Sequence, residues 1–427
     1  MRAGIAIAAL LGVAGFSVAA FAQTPCVGGC GTSPVYQEAA SCGCNSGSCG
    51  GGCGLGGGGG LSGINLGYRD KVKQVFNPLC CDLGDPWTLS GFLHGDCEPK
   101  VNIGGWIQNG YHTESNDLFN NRPDDINLHQ AWLFAEKTVS DESPFGFRAD
   151  LIYGIDGADT QSFGNDPGEW DFQNGFDHGR QSWAIPQLYG EAQLGEWNVK
   201  AGHFYTLVGY EVVTAPDNFF YSHAITFFNT EPFTHTGVVA SRDIGEDITF
   251  YGGWTAGWDT GFNQFGGGSN WLGGASFQLT ENSSLTYIST AGDFGARGSD
   301  AYGHSFVYDT QLSDKLNWVV QSDLLRVNST GEDNVGLNQY LLYTVNDCLG
   351  FGARMEWWKG DVLTGYAPHG GDVANSTNGS LSYYAATVGM NVRASANTIL
   401  RPELRYDWSP AAGYDQGIFG IDAITTF

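Results

Sequence analysis

Basic residues are few in this chain: 19 Lys and Arg stand against 45 Asp and Glu in 427 residues, a formal net charge of -26. Nucleic-acid binding needs clustered Lys and Arg to neutralise phosphates, so this balance excludes such a partner. Charge of either sign is sparse at 15% of residues, and there are only 3 methionines, a composition poor in helix formers. Beyond Ala22 no window offers the ~18 continuous apolar residues that a helical membrane span requires. A chain of this kind that crosses a membrane does so with strands. The signatures of catalysis are missing as well. There is no GxSxG, Walker or Rossmann pattern, and the 9 histidines are scattered without an HExxH pair or other tight ligand spacing. No enzyme, no cofactor and no metal is expected.

What is abundant points to strands and turns: 64 glycines and 14% aromatic residues. The closing stretch, Gly417 to Phe427, shows the period most plainly. Phe419, Ile421, Ala423, Thr425 and Phe427 fall on one mostly apolar face, with Asp422 and Thr426 on the other. A last strand ending on an aromatic, Phe427, suits one that pairs with the first strand and closes a ring without edges. The fold class expected is therefore all-β, an antiparallel transmembrane β-barrel preceded by a Cys/Gly-rich N-terminal arm.

Four divisions follow along the chain. Residues 1-22 carry Arg2, an apolar run and the small-x-small pattern Ala20-Phe21-Ala22, which reads as a cleaved secretory signal peptide. Residues 23-60 form the arm, with Cys26, Cys30, Cys42, Cys44, Cys49 and Cys53 among Gly and Ser. It cannot bury a core, and in an oxidising compartment its six cysteines have 15 possible disulfide pairings. A cross-linkable tether to another envelope component and a plain disulfide-knotted linker both fit it. Residues 61-99 are a periplasmic lead-in, in which Tyr68 to Phe76 could form a short helix and Cys97 could bond Cys80 or Cys81. Residues 100-427 are the barrel.

Within the barrel about sixteen strands can be placed, an even number as single-chain bacterial barrels require. The clearest puts Phe145, Phe147, Ala149, Leu151, Tyr153 and Ile155 on one face and Gly146, Arg148, Asp150, Gly154 and Asp156 on the other. A one-residue slip would turn Arg148 toward lipid, where a midplane Arg costs about 2 to 4 kcal/mol. Short turns such as Gly245-Glu246 and Ser313-Asp314 alternate with long connections along the chain. A sandwich or propeller has no reason to keep that parity. Tyr153, Trp254, Trp258, Trp271, Trp357, Tyr406, Trp408 and Phe427 read as interfacial girdle residues.

Two groups are candidates for function. Arg148, Lys200, Arg354, Arg393, Arg401 and Arg405 lie on the polar faces of their strands, either as a basic pore wall or as members of cross-strand ion pairs with Glu403 and Asp407. The connection Leu207 to Phe233 holds Tyr210, Phe219, Phe220, Tyr221, Phe227, Phe228 and Phe233 with Glu211, Asp217 and Glu231. So apolar a loop is expected to fold inward, narrow the channel and set its acids against Arg354, Arg401 and Arg405. Packing on the outer rim or on a neighbouring subunit is the alternative.

The stretches GGWIQNGYH (Gly104 to His112), LHQAWLFAEK (Leu128 to Lys137), GFRADLIYGID (Gly146 to Asp156), LYGEAQLGEWNVKAGHFYTLVGYE (Leu188 to Glu211), and APDNFFYSHA with HTGVV (Ala215 to Ala224, His235 to Val239) carry a resemblance. Over Val101 to Phe427 the chain resembles the β-barrel porin family of OmpL-like outer-membrane porins. That resemblance implies passive diffusion of ions and small hydrophilic solutes across a bacterial outer membrane, with lipid as the surroundings and no cofactor. A homotrimer and a monomer both remain open. The competing class is a plugged barrel, or an exported β-rich module, acting as an envelope anchor or a carbohydrate-binding protein.

Overall fold

The computed structural model describes residues 83-427 apart from 95-98, 117-118, 141, 163-169, 172-180, 265 and 361-379. The expected signal peptide, cysteine arm and Tyr68 to Phe76 helix, and the nine cysteines named above, lie outside the described residues.

Sixteen strands form. The first eight are β1 (Asn102–His112), β2 (Asn127–Lys137), β3 (Phe145–Gly154), β4 (Ser182–Leu194), β5 (Trp197–Tyr205), β6 (Thr234–Ile244), β7 (Ile248–Thr255) and β8 (Ser269–Thr280). The second eight are β9 (Ser283–Asp293), β10 (Ala301–Ser313), β11 (Leu316–Val327), β12 (Glu332–Asn346), β13 (Leu349–Gly360), β14 (Leu381–Ser395), β15 (Thr398–Ser409) and β16 (Tyr414–Thr426). Each pairs antiparallel with its sequence neighbours, and β1 pairs with β16, so the sheet closes. Phe427 completes the seam as expected: its N–H donates to Gly105 O at 2.9 Å and its carbonyl accepts from Gly105 N–H at 3.0 Å.

The short connections gather at one end, where Gly195 and Gly245 supply the positive φ of tight hairpins (+65° and +67°). Two connections at the opposite end are shorter than the sequence spacing suggested. The β11–β12 and β15–β16 ladders run on to Val327↔Glu332 and Ser409↔Tyr414, leaving only residues 328-331 and 410-413 between strands. At the short-turn end the helix Leu89–His94 packs beside β1, with Ser90 Oγ accepting from Ile103 N–H at 2.6 Å.

The outer face is apolar, presenting Phe147, Leu188, Trp254, Met355, Leu404 and Phe419. Trp258 departs from the expected girdle; it is buried in the β7–β8 connection, stacked on Phe294 at 4.3 Å. Ile155 is likewise buried rather than outward, because β3 ends at Gly154 and the chain turns there.

The inner face is not uniformly polar. Trp106, Trp132, Ile152 and Ala184 are buried inside the barrel, with the two indoles stacked at 4.6 Å. Ala184 meets Ile152 through a bulge around Pro186, whose missing N–H suits a break in the ladder. These four residues join Val213, Ala215, Phe227, Phe228 and Phe233 in one apolar cluster, so much of the protein's core lies within the ring of strands.

Candidate functional site

The β5–β6 connection, residues 206-233, supplies the other half of that cluster. None of its residues is exposed, and every one from Phe220 to Phe233 is buried. An apolar loop this long gains by leaving water, but its backbone N–H and C=O groups then need partners. Inward-facing side chains of the wall provide them.

Going round the ring, Gln130 on β2 donates to Val213 O at 2.8 Å and accepts from Ala215 N–H at 3.2 Å. On β15, Arg401 donates to Ala215 O (2.8 Å) and Asn218 O (2.6 Å), and Glu403 accepts from the N–H groups of Tyr221 (2.9 Å) and Ser222 (3.1 Å). Arg405 donates to His223 O at 2.9 Å. On β13, Glu356 accepts from Ile225 N–H at 2.7 Å. Arg354 donates to Ser222 O (2.7 Å), Ser222 Oγ (3.0 Å) and Glu211 Oε1 (2.7 Å). Asn338 on β12 reaches Thr226 Oγ1, and Gln321 on β11 donates to Glu231 Oε1 at 2.5 Å.

Small residues let the loop lie close to the wall. A Cβ on Gly110 or Gly420, at the β1–β16 seam, would collide with the Tyr221 ring, and one on Gly352 with Phe219 and Phe220. In the slot between the two seam glycines, the Tyr221 hydroxyl lies 2.6 Å from His129 Nε2 and 3.2 Å from His112 Nδ1. His129 Nδ1 is in turn 2.8 Å from Asp156 Oδ1.

The expected basic wall takes a different form. Arg354, Arg401 and Arg405 are 0%, 2% and 3% exposed, and their donors reach loop and wall groups. Each is also held by carboxylates of the wall: Glu356 for Arg354 (2.6 Å), Asp422 for Arg401 (2.6 Å), and Asp407 (2.6 Å) and Glu356 (3.1 Å) for Arg405. Carboxylates one pleat away or on the next strand satisfy these arginines first, and loop carbonyls take the remaining donors.

Of the three loop acids, only Glu211 therefore meets an arginine. Burial pushes its carboxyl up, but Arg354, His223 and the Ala224 N–H outweigh that and hold it down at about 2. Asp217 accepts from Thr214 Oγ1 at 2.5 Å within the loop, and Glu231 faces Gln321 and Asp323. Tyr210 packs on Tyr340 at 4.7 Å and Phe219 on Phe220 at 4.9 Å.

Of the three other basic candidates, Arg393 lies at the short-turn end, its backbone N–H donating to Cys348 O at 2.8 Å, and Arg148 and Lys200 sit on the wall among its carboxylates. Arg148 pairs with Asp150 (2.8 Å) and Glu136 (3.3 Å), and Lys200 lies over the Tyr189 ring at 4.3 Å, opposite Glu191 in the ladder. Both are only half-buried on the inner face.

Sequence spacing did not reveal the Asp156–His129–Tyr221–His112 chain, whose members lie on separate elements. The inward carboxylates Glu356, Asp323 and Asp422 carried a faint signal, each being a charged residue on a strand's polar face. Cys348, in the β12–β13 turn, is buried, a further cysteine beyond those the sequence singled out.

A closed sixteen-stranded antiparallel ring with an apolar exterior and a loop folded into it defines a porin-like outer-membrane β-barrel. The chain belongs to the family described as "Putative beta-barrel porin-2, OmpL-like", which matches residues 100–427. Among solved structures it is similar to an anion-selective porin from Comamonas acidovorans, at 11% identity over 77% of this chain and 99% of that one, with a TM-score of 0.52. It is also similar to OmpT of Vibrio cholerae in its trimer form (11% identity, 77% and 99% covered, TM-score 0.49). The outer membrane channel DcaP of Acinetobacter baumannii gives 13% identity, 77% and 97% coverage, and a TM-score of 0.48. No curated protein matches.

Proposed function

We propose that this protein is a porin, passing ions and small hydrophilic solutes by passive diffusion, and that the loop 207-233 narrows its lumen. The observation that carries this is the anchoring of a loop with no exposed residue to inward side chains of β2, β11, β12, β13 and β15 beneath an apolar outer face. Arg354, Arg401 and Arg405 act in this reading as anchors. The residues left to set ion preference are the half-buried pairs on β2 to β5: Arg148 with Glu136, and Lys200 with Glu191. Residues 1-22 serve export, 23-60 form a tether and 61-99 lead into the barrel.

One observation favours the plugged anchor as a second reading: no residue of 206-233 is exposed. Single-channel conductance of the refolded protein in a planar bilayer under a salt gradient separates the two. Discrete steps that grow when Asp217 to Thr230 is deleted support the constricted pore. Steps of equal or smaller size would put the constriction elsewhere, and silence from folded, inserted protein would select the anchor.

A further inference from the structure

Most buried carboxylates that hold the loop are matched by an arginine or by backbone N–H groups. Glu231 and Asp323 are the departure. Gln321 Nε2 donates to both, to Glu231 Oε1 and to Asp323 Oδ2 at 2.5 Å each, while its own Oε1 accepts from Tyr210 N–H at 3.2 Å. The outer oxygens, Glu231 Oε2 and Asp323 Oδ1, are buried and make no hydrogen bond. Among the described residues no arginine or lysine pairs with either carboxyl. The groups facing them are Gln321 from β11, Ser305 from β10, Tyr340 from β12 and Glu211 from the loop itself, with the Tyr210 N–H on the far side of the Gln321 amide. Arg354 is taken by Glu211 and Glu356, and Arg297, which donates to Asn229 O at 2.6 Å, is paired with Glu332.

The position of this pair matters as much as its chemistry. Glu231 closes the loop, and Gly209 opens it at φ +91°, with Gly209 N–H donating to Ser305 Oγ at 3.3 Å. A side chain on Gly209 would occupy the place of the Glu231 carboxyl, so both roots of the loop meet at this point of the wall. Two carboxylates buried side by side without a cation cannot both ionise at low cost, so one holds a proton. Burial, and then Asp323, raise Glu231 well above the ordinary carboxylate range.

We propose that Glu231 and Asp323 form a proton-held latch that keeps the roots of the loop on β10 and β11, and that alkaline pH opens it. When the shared proton leaves to solvent, two adjacent negative charges remain in a site that offers them, among the described residues, only the Gln321 amide and the Ser305 hydroxyl, and no cation. Hydration of the pair then requires Glu231 to leave the wall, and the loop root goes with it. This rests on the loop being the element that narrows the lumen, but release of the loop can be read independently of conduction.

The test follows hydrogen exchange of the amides from Val208 to Glu231, corrected for intrinsic rates, between pH 6 and 10 on the full-length protein in detergent. The same preparations are recorded in bilayers. Opening linked to loss of one proton raises the open fraction about tenfold per pH unit. Wild-type protection is expected to fall with that slope while the barrel ladders stay protected, and Glu231→Gln and Asp323→Asn are each expected to flatten it. Two substitutions guard against one failing to fold. A flat wild-type profile, or the wild-type slope surviving in both variants, overturns the latch. Channels that conduct while loop protection ignores pH would sink the latch and leave the porin standing. The expected exchange pattern in a protein that never conducts would do the reverse.

Discussion

Replacing Arg354 with Met keeps most of the side chain's volume and removes its charge. Arg354 is fully buried, with four hydrogen bonds to the loop (Glu211 Oε1, Ser222 O, Ser222 Oγ and His223 O) and one short ion pair to the wall (Glu356 Oε1). Removing one member of a buried ion pair costs roughly 3 to 5 kcal/mol, because the partner is left desolvated. Here Glu356 keeps Arg405, whereas Glu211 loses its arginine and recovers water once the loop lifts away. The cost therefore falls on loop docking rather than on the barrel, whose ladder hydrogen bonds are untouched. At about 1.4 kcal/mol per factor of ten, the docked-to-undocked ratio should fall by about two to three and a half orders of magnitude. Single-channel records should then show larger or noisier open levels than wild type, and hydrogen exchange over Thr206 to Phe233 should rise while the strands stay protected. Arg354→Lys, which keeps the charge but loses the planar fork, should fall between the two. An Arg354→Met protein with wild-type conductance levels and wild-type loop protection would refute the anchoring argument.

Two further outcomes follow from the same geometry. Glu211 is held at about 2 in the folded protein against 4.5 ordinarily, so its contribution to docking is complete above pH ~4.5 and is lost as pH falls through about 2. Loop protection measured down that range should weaken, and a Glu211→Gln protein should lose the trend. Gly110→Ala would set a methyl against the Tyr221 hydroxyl and displace it from His129 and His112. Loop protection should drop by roughly 1 to 3 kcal/mol for the lost buried hydrogen bonds, whereas Gly190→Ala, whose new Cβ has nothing nearer than 3.9 Å, should be neutral.

The barrel was legible from the residues alone because its rules are local. A strand's side chains alternate with a period of two, lipid penalises charge on one face, and a short turn forces antiparallel pairing. Those rules sufficed for sixteen strands, the seam at Phe427 and the direction in which Arg148, Arg354, Arg401 and Arg405 point. The inward fold of Leu207 to Phe233 also followed from its own composition, since so many aromatics cannot rest in water. What the loop meets inside could not be read this way. Whether Arg401 faces Asp217 or takes Asp422 and two loop carbonyls depends on which groups the closed ring brings within 3 Å, and the loop carbonyls lie 186 and 183 residues away in the chain. The stacked indoles of Trp106 and Trp132 broke the polar pattern of the inner face, a signal that gains meaning only when the loop's aromatics arrive against them. The pairing of Glu231 with Asp323 is likewise a matter of tertiary structure: each is an unremarkable acid in its own segment, and only burial side by side makes the two share a proton.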